Sequence, residues 1–280
     1  MAELSCVFTD LDGTLLHSDR TLDPRDLRTI RILQGKGIPV IIATGRHHTI
    51  ARPIYEQVGG AIPAVTCNGA TIYDYEAGRS LMDVCLTTEA VAEVCGYAQE
   101  AGLKYYIFTP EKSYYDPDDT RLDFRKGATF LCPNSRVEFH SMAELGDPTA
   151  HRVVKIILPG VGDEALAAFR SALGHRKDIE LTFSGVGLLE VNFAGVTKGS
   201  AVQWLALRRG LDLSRALSLG DNLNDLAMVQ TTGFSAAPAN AVAEIKAAAS
   251  VQVPDNDHCP LSCAVEALFP GLLEESTTGR

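Results

Sequence analysis

Short runs of β-branched and apolar residues recur along this chain, each followed by a longer segment whose apolar residues return every three or four positions. That rhythm leaves few folds open. Strands that are apolar throughout must be covered on both faces, and the segments between them are long enough to cross over as helices, so an α/β, Rossmann-like parallel sheet is expected. Residues 4 to 9 (LSCVFT) and 38 to 43 (IPVIIA) read as buried strands. Between them Asp23 can cap a helix with Pro24 at its first position and Leu27, Ile30 and Leu33 on its apolar face, which makes a βαβ unit.

After a helical stretch near 47 to 58 and a weak strand near 63 to 67, TIYDYEAGRSLMD reads as a hairpin around Ala77-Gly78, and the parallel rhythm breaks. Residues 85 to 187 then carry a helix (88 to 100), strands near 103 to 108 and 152 to 158, a helix near 163 to 174 and a strand near 179 to 183. The last third resumes the first pattern: strand 188 to 193, helix 199 to 209, strand 216 to 219, helix 223 to 230, strand 233 to 236 and two further helices, the Ala-rich 236 to 249 reading as one of them. The expected organisation is a core of residues 1–84 and 188–280 with an α+β cap, 85–187, inserted.

Lys and Arg number 25 against 35 Asp and Glu, a net charge of −10, and no stretch gathers the basic residues. Nucleic acid and anionic membrane surfaces are excluded as expected partners, and an anionic substrate needs a local cation to receive it. The seven Cys are dispersed without a CxxC pair, which points to free thiols in a reducing cytoplasm, and His258-Cys259 with Cys263 reads as the start of a helix at Pro260 instead of a zinc site. No basic region precedes the first apolar run, as an export signal would require, and no run of about 18 apolar residues exists to span a membrane.

Strand 4 to 9 runs into Asp10-Leu11-Asp12-Gly13-Thr14, so two carboxylates sit at the C-terminal end of a buried strand, where open α/β sheets bind ligands. Gly13 permits a sharp turn that lets Asp10 and Asp12 approach one point. One ionised carboxylate can then attack as a nucleophile while the other gives a proton to a leaving oxygen and takes one from water. Asp221-Asn222-Leu223-Asn224-Asp225 follows strand 216 to 219; Asp221 suits Mg²⁺, a hard cation, and Asp225 can brace the metal's water shell. Thr44-Gly45-Arg46 offers a hydroxyl, backbone N–H groups and a guanidinium for phosphoryl oxygens. Lys198 opens a helix, so a cation and a helix N-terminus are offered together. Each motif alone has an ordinary reading as a turn or a cap. Four of them at strand ends on one sheet supply what phosphoryl transfer needs.

DLDGTLL at 10 to 16, TGR at 44 to 46, LEVNFAGVTKGSA at 189 to 201 and GDNLNDLAM at 220 to 228, in that order, resemble the motifs of the haloacid dehalogenase (HAD) superfamily, and within it the Cof-type phosphatases with a cap between the second and third motifs. Asn68-Gly69-Ala70 is similar to the family's core loop after the third strand. The resemblance spans nearly the whole chain. It implies Asp10 as the nucleophile that forms an aspartyl-phosphate and Asp12 as the acid/base. It also implies Asp221 binding Mg²⁺ with the Asp10 carboxylate and the Asp12 backbone carbonyl, and Thr44, the backbone at Leu11 and Gly45, Lys198 and Asn224 gripping the phosphoryl group. Arg46 and Asp225 would support them.

The implied substrate is a small phosphorylated metabolite, with sugar phosphates the first guess, and the motifs name neither the metabolite nor the oligomeric state. A phosphomutase or other phosphotransferase would use the same intermediate, and a non-catalytic phosphoacceptor resembling a response-regulator receiver would gather similar groups, although such modules are shorter and lack a cap. Lys155 and Tyr114 are the foremost cap candidates for reading the leaving group, beside Tyr105, Tyr106, Tyr115 and Arg152. Lys155 is one charge on an otherwise apolar strand face with Val153 and Ile157, either turned to the active site or blunting a sheet edge. His47 and His48 are given no role.

Overall fold

β1 (Cys6–Thr9) is an interior strand of the first sheet, four buried residues with a parallel partner on either side. In the computed structural model, which describes residues 3–60, 62–116, 140–183 and 188–274, α1 (Pro24–Gly35) leads to β2 (Val40–Ile42), and α2 (His48–Val58) leads to β3 (Ala64–Thr66). Asp23 caps α1 by accepting from Arg25 N, with Pro24 in the first turn, as the sequence indicates. β3 joins the sheet beside β2 through an Ala43–Val65 bridge and turns into the antiparallel β4 (Thr71–Asp74) and β5 (Arg79–Asp83), the expected hairpin.

The chain then builds a second sheet from α3 (Thr88–Glu100), β6 (Tyr106–Phe108), β7 (Ser113–Tyr115), β8 (His140–Ser141), α4 (Met142–Leu145), β9 (Lys155–Pro159), α5 (Asp163–Leu173), β10 (Ile179–Phe183) and β11 (Leu188–Phe193). Its strand order is β10-β11-β9-β6-β7-β8. Strand alternation divides its side chains between two surfaces. Ile107, Tyr114, Ile156 and Leu158 pack under Val91, Val94 and Phe169 of the helices, whereas Tyr106, Phe108 and Ile157 pack on Cys67 and Ala70 of the core.

One boundary differs from the sequence reading. The sequence places residues 188–193 in the core, but β11 pairs antiparallel with both β9 and β10, so the chain returns to the core only after Phe193. An apolar strand that precedes a helix has the same local pattern in either sheet, and long-range pairing decides which one it joins.

α6 (Lys198–Arg209), β12 (Ala216–Leu219), α7 (Leu226–Thr231), β13 (Phe234–Pro238), α8 (Ala243–Ala248), β14 (Val251–Val253) and α9 (Pro260–Leu268) complete the core, whose parallel sheet runs β14-β13-β12-β1-β2. The Ala-rich 236 to 249 is not one helix. Its first residues extend β13 as far as Pro238, whose missing N–H suits a strand end better than a helix interior, and only six residues remain helical. β14, which the sequence does not signal, closes the edge of the sheet. Val7 faces Ile30, Ile54 and Leu261 of α1, α2 and α9, while Cys6 and Phe8 face Val202, Leu205 and Met228 on the other side. That double coverage is why the short strands are apolar throughout. Cys6, Cys67 and Cys95 are buried free thiols, and Cys132 lies outside the described residues. No helix among the described residues is long and apolar enough to cross a membrane.

The loop after β3 passes close beneath the turn that starts α6. Gly69 has φ 100, and a Cβ there would lie 2.2 Å from the Thr197 carbonyl oxygen, so both conformation and space require glycine. Gly69→Ala is expected to cost about 2–4 kcal/mol, read as a lower urea midpoint at unchanged slope.

Candidate active site

The C-terminal ends of β1, β2 and β12 and the first turn of α6 meet at one edge of the parallel sheet. Asp10 follows β1 directly, its N–H bonded to Leu219 O at 3.0 Å, so the loops after β1 and β12 start side by side. Lys198 is fully buried, with Nζ 2.9 Å from Asp10 Oδ1 and 2.6 Å from Asp225 Oδ1. A cation in the first turn of a helix opposes the macrodipole, and two carboxylates offset that cost here. Burial disfavours the Lys198 ammonium, but Asp10 and Asp225 outweigh it and raise its pKa, so it stays charged.

The acids are more crowded. Burial, and then the neighbouring Asp225, Asp221 and Asp12 charges, push the Asp10 carboxyl well above its ordinary range, with Lys198 opposing. Asp221 is pushed up to about 7 by burial and by Asp225. Thr14 Oγ1 donates to Asp221 Oδ1 at 2.9 Å. Asp221 Oδ2 lies so close to Gly13 that a Cβ on that residue would sit 2.5 Å from it. Asn240 Nδ2 donates to Gly13 O at 2.8 Å and Asn256 Nδ2 to Leu16 O at 2.9 Å, pinning the turn that carries Asp12. Neither asparagine is distinguished in the sequence.

Asp12 is gripped by Arg46, whose Nε and Nη2 each donate at 2.6 Å to its two oxygens, and Arg20 Nη1 donates to the same carboxylate. Burial works against the Asp12 charge, but Arg46 and Arg20 outweigh it and hold the carboxyl below the usual carboxylate range. Arg20 is a residue the sequence did not point to. It occupies the turn between His17 and Thr21 at φ 70, and only the folded hairpin brings it back to Asp12.

The other core residues singled out in the sequence lie in the neighbouring loops. Thr44 is buried after β2, with Oγ1 accepting from Arg46 N at 3.2 Å, and Leu11 and Gly45 lie in the same two loops. Asn224 Nδ2 donates to Asn68 Oδ1 at 3.1 Å, joining the loops after β12 and β3.

The two cap candidates part company. Lys155 is turned toward the core: Nζ donates to Gly45 O at 2.9 Å and pairs with Glu190. β9 lies between β11 and β6, so the sheet-edge reading does not hold, and Val153 packs on the helix-covered surface, not beside Lys155. Tyr114 lies on that same helix-covered surface, its ring 5.7 Å from His140, and is not brought to the site; one step of strand alternation turns it away while Tyr115 packs on the core-facing side. Arg152 pairs with Asp83 at 3.2 Å.

His47 and His48, set aside in the sequence, tie the core to the cap. Each directs Nε2 to a carbonyl of the turn after β6: Thr109 O and Pro110 O, both at 3.0 Å. Carbonyls only accept, so both rings carry the Nε2 proton. Burial depresses His47 to about 3 and His48 to about 4.

Clustered carboxylates paired with buried cations at the strand ends of a parallel sheet, beneath an inserted sheet, mark an enzyme that handles phosphoryl groups. The match to the haloacid dehalogenase-like hydrolase family runs over residues 7–261, and the chain belongs to that family as a Cof-type phosphatase. It is 27% identical over 250 residues to the pyridoxal phosphate phosphatase YbhA of Escherichia coli (strain K12), covering 88% of this chain and 92% of that one. It is 29% identical over 239 residues to the HMP-PP phosphatase of Serratia proteamaculans (strain 568), covering 85% and 84%. A haloacid dehalogenase-like hydrolase from B. subtilis shares the fold with a TM-score of 0.82 at 24% identity, over 95% of this chain and 100% of that structure.

A histidine whose folded pKa lies below its unfolded value near 6.5 favours the fold fully above that value, and the contribution is lost as pH falls toward 4 and then 3. Replacing both residues (His47→Gln with His48→Gln) is therefore expected to flatten the fall in melting temperature between pH 7 and pH 5, measured side by side with the unaltered protein.

Proposed function

We propose that this phosphatase hydrolyses phosphate monoesters of small metabolites with Mg²⁺, through an aspartyl-phosphate on Asp10. The observation that carries the reading is the buried Lys198 ammonium, which bridges the Asp10 carboxylate at the end of β1 to the acidic loop after β12. A lone nucleophilic carboxylate would repel a phosphoryl dianion, and this ammonium supplies the local cation that the net charge of −10 demands.

The acids fit a divalent cation. Asp10, Asp221 and Asp225 each offer an oxygen within 4.8 Å of the others. Asp225 is already committed, with Oδ1 on Lys198 and Oδ2 accepting from Asp221 N and Asn222 N, which leaves Asp10 and Asp221 as ligands, and the family resemblance adds the Asp12 backbone carbonyl as a third. Burial first, and the neighbouring carboxylates after it, raise both pKa values, so the cluster disfavours its own negative charge and gains from a cation. When bound, Mg²⁺ offsets the charge of the carboxylate and of the phosphoryl oxygens.

Chemically, an Asp10 oxygen attacks phosphorus and the P–O bond to the leaving group breaks as the new bond forms. Asp12 delivers its proton to the departing oxygen, then removes one from the water that attacks the aspartyl-phosphate, releasing inorganic phosphate and restoring both carboxyl groups. Arg46 and Arg20 hold Asp12 ionised before substrate arrives; a phosphoryl dianion competes for those guanidiniums and lets the carboxyl take up its proton. Thr44, Lys198, Asn224 and the backbone at Leu11 and Gly45 grip the transferring group. A reducing cytoplasm is the compartment in which the free thiols fit this reading.

By their names the relatives act on pyridoxal phosphate, HMP-PP and, for a Bacillus subtilis protein 26% identical over 292 residues, 5-amino-6-(5-phospho-D-ribitylamino)uracil. A panel of ring-bearing phosphates and sugar phosphates, assayed with and without Mg²⁺ and with no added acceptor, is expected to release inorganic phosphate only with the metal. A phosphoryl group that appears on an added hydroxyl compound, with no free phosphate released in its absence, would point to a phosphotransferase instead. Asp10→Asn should lower kcat by about 10³-fold or more and Asp12→Asn by about 10²–10⁴-fold; an Asp10→Asn protein with undiminished turnover would sink the mechanism.

A carboxyl whose folded pKa is raised costs stability as pH climbs from its unfolded value near 3.8 through about 7. Mg²⁺ should therefore raise the melting temperature more at pH 8 than at pH 5.5. Asp221→Asn should stabilise the metal-free protein at pH 8, by about 1–3 kcal/mol, while abolishing most of the Mg²⁺ effect.

A further inference from the structure

One ion pair of the cap is buried against the core, and every polar atom it reaches belongs to a loop of the phosphoryl site. Lys155 on β9 and Glu190 on β11 are paired, 1% and 2% exposed. Lys155 Nζ also donates to Gly45 O at 2.9 Å. The other Glu190 oxygen accepts from Asn68 Nδ2, and Asn68 Oδ1 accepts from Asn224 Nδ2 at 3.1 Å. Gly45, Asn68 and Asn224 stand in the loops after β2, β3 and β12 respectively. The packing is close, since a Cβ on Gly45 would lie 2.8 Å from Asn68 Oδ1 and 3.7 Å from Lys155 Nζ. Asn68 itself is held at φ 58, a left-handed conformation that asparagine tolerates and that its two side-chain hydrogen bonds keep in place.

A buried ion pair is a poor way to gain stability, because apolar residues of similar volume do as well or better, so this one calls for a different explanation. Glu190 is an acceptor at both oxygens and satisfies two donors at once, one from the cap and one from the core. We propose that Glu190, neutralised by Lys155, is a positioning residue for phosphoryl transfer: it fixes Asn68, which orients the Asn224 side chain, while Lys155 fixes the Gly45 carbonyl, so that seating the cap aligns three phosphoryl-binding loops together. The inference rests on the proposed function, in which Asn224 and the Gly45 backbone grip the transferring group. It gives Lys155 a part in the reaction common to all substrates, distinct from choosing among leaving groups.

The test uses the full chain with Mg²⁺, p-nitrophenyl phosphate as substrate and orthovanadate as a mimic of the transferring group. Turnover by the unaltered protein first establishes the phosphatase reading by itself, so its absence would count against that reading and not against the relay. Glu190→Gln replaces one acceptor with a donor that must face Lys155 or Asn68, and kcat is expected to fall by about 10- to 100-fold with a tenfold or greater rise in the vanadate inhibition constant. Lys155→Met with Glu190→Gln removes the buried charge imbalance; its melting temperature should recover toward that of the unaltered protein while kcat and vanadate affinity stay low, and it carries the test if the single variant fails to fold. Asn68→Ala should add little to the loss already caused in that pair variant, because both act through one chain of contacts. A pair variant that regains turnover as it regains stability, or losses from Asn68→Ala and the pair variant that simply multiply, would overturn the proposal.

Discussion

Three carboxylates around one buried ammonium set the terms for the rest of this site. Lys198 reaches its place only because α6 begins where the loops after β1 and β12 converge, and it is tolerated there because Asp10 and Asp225 face it within 3 Å. Asp225 is consumed by that task and by the backbone of its own loop, whereas Asp10 and Asp221 are left with more charge than their surroundings balance. The folded chain thus stores an electrostatic deficit at the point where the proposed mechanism brings a cation and a phosphoryl group together. A site relaxed to neutrality would lose the contrast between empty and occupied states on which differential binding depends.

The cap meets this region through polar atoms set in an apolar seam. Tyr106, Phe108 and Ile157 cover Cys67 and Ala70, and inside that contact the neutral His47 and His48 reach carbonyls while the Lys155–Glu190 pair reaches the loops. Apolar contact is indifferent to small sliding, whereas each hydrogen bond fails within a fraction of an ångström to an ångström. The seam therefore holds one relative placement of the two sheets.

Much of this was legible in the chain. The parallel core, the βαβ start, the hairpin and the three motifs after β1, β2 and β12 follow from periodicity, capping and glycine placement, because these are local properties; the strand before Lys198 lies in the other sheet. What was not legible depends on pairing across long separations. Residues 188 to 193 carry no mark that separates an antiparallel cap strand from a parallel core strand, and the alanines of 236 to 249 favour a helix that sheet pairing overrides. Arg20 is invisible until the hairpin after Asp12 folds back. Lys155 stood out as a charge on an apolar strand, a local anomaly; its partner Glu190 did not, since its neighbours in LEVNF alternate as any strand would. Tyr114 and Tyr115 differ only in phase, and phase is fixed by which surface the sheet turns to the helices.

The placement of β11 bears on how such a protein can acquire a new repertoire. This strand belongs to the inserted sheet, yet it runs through residues 194–197 straight into the lysine that opens α6. A transplant of the insert from one relative to another that cut the polymer ahead of position 188 would leave a foreign sheet without its second strand and a native strand without neighbours. Exchange is clean only at the short junction between Phe193 and Thr197, so recombination there has little room for error, and gradual change of side chains on the underside of the roof is the easier route to altered preference.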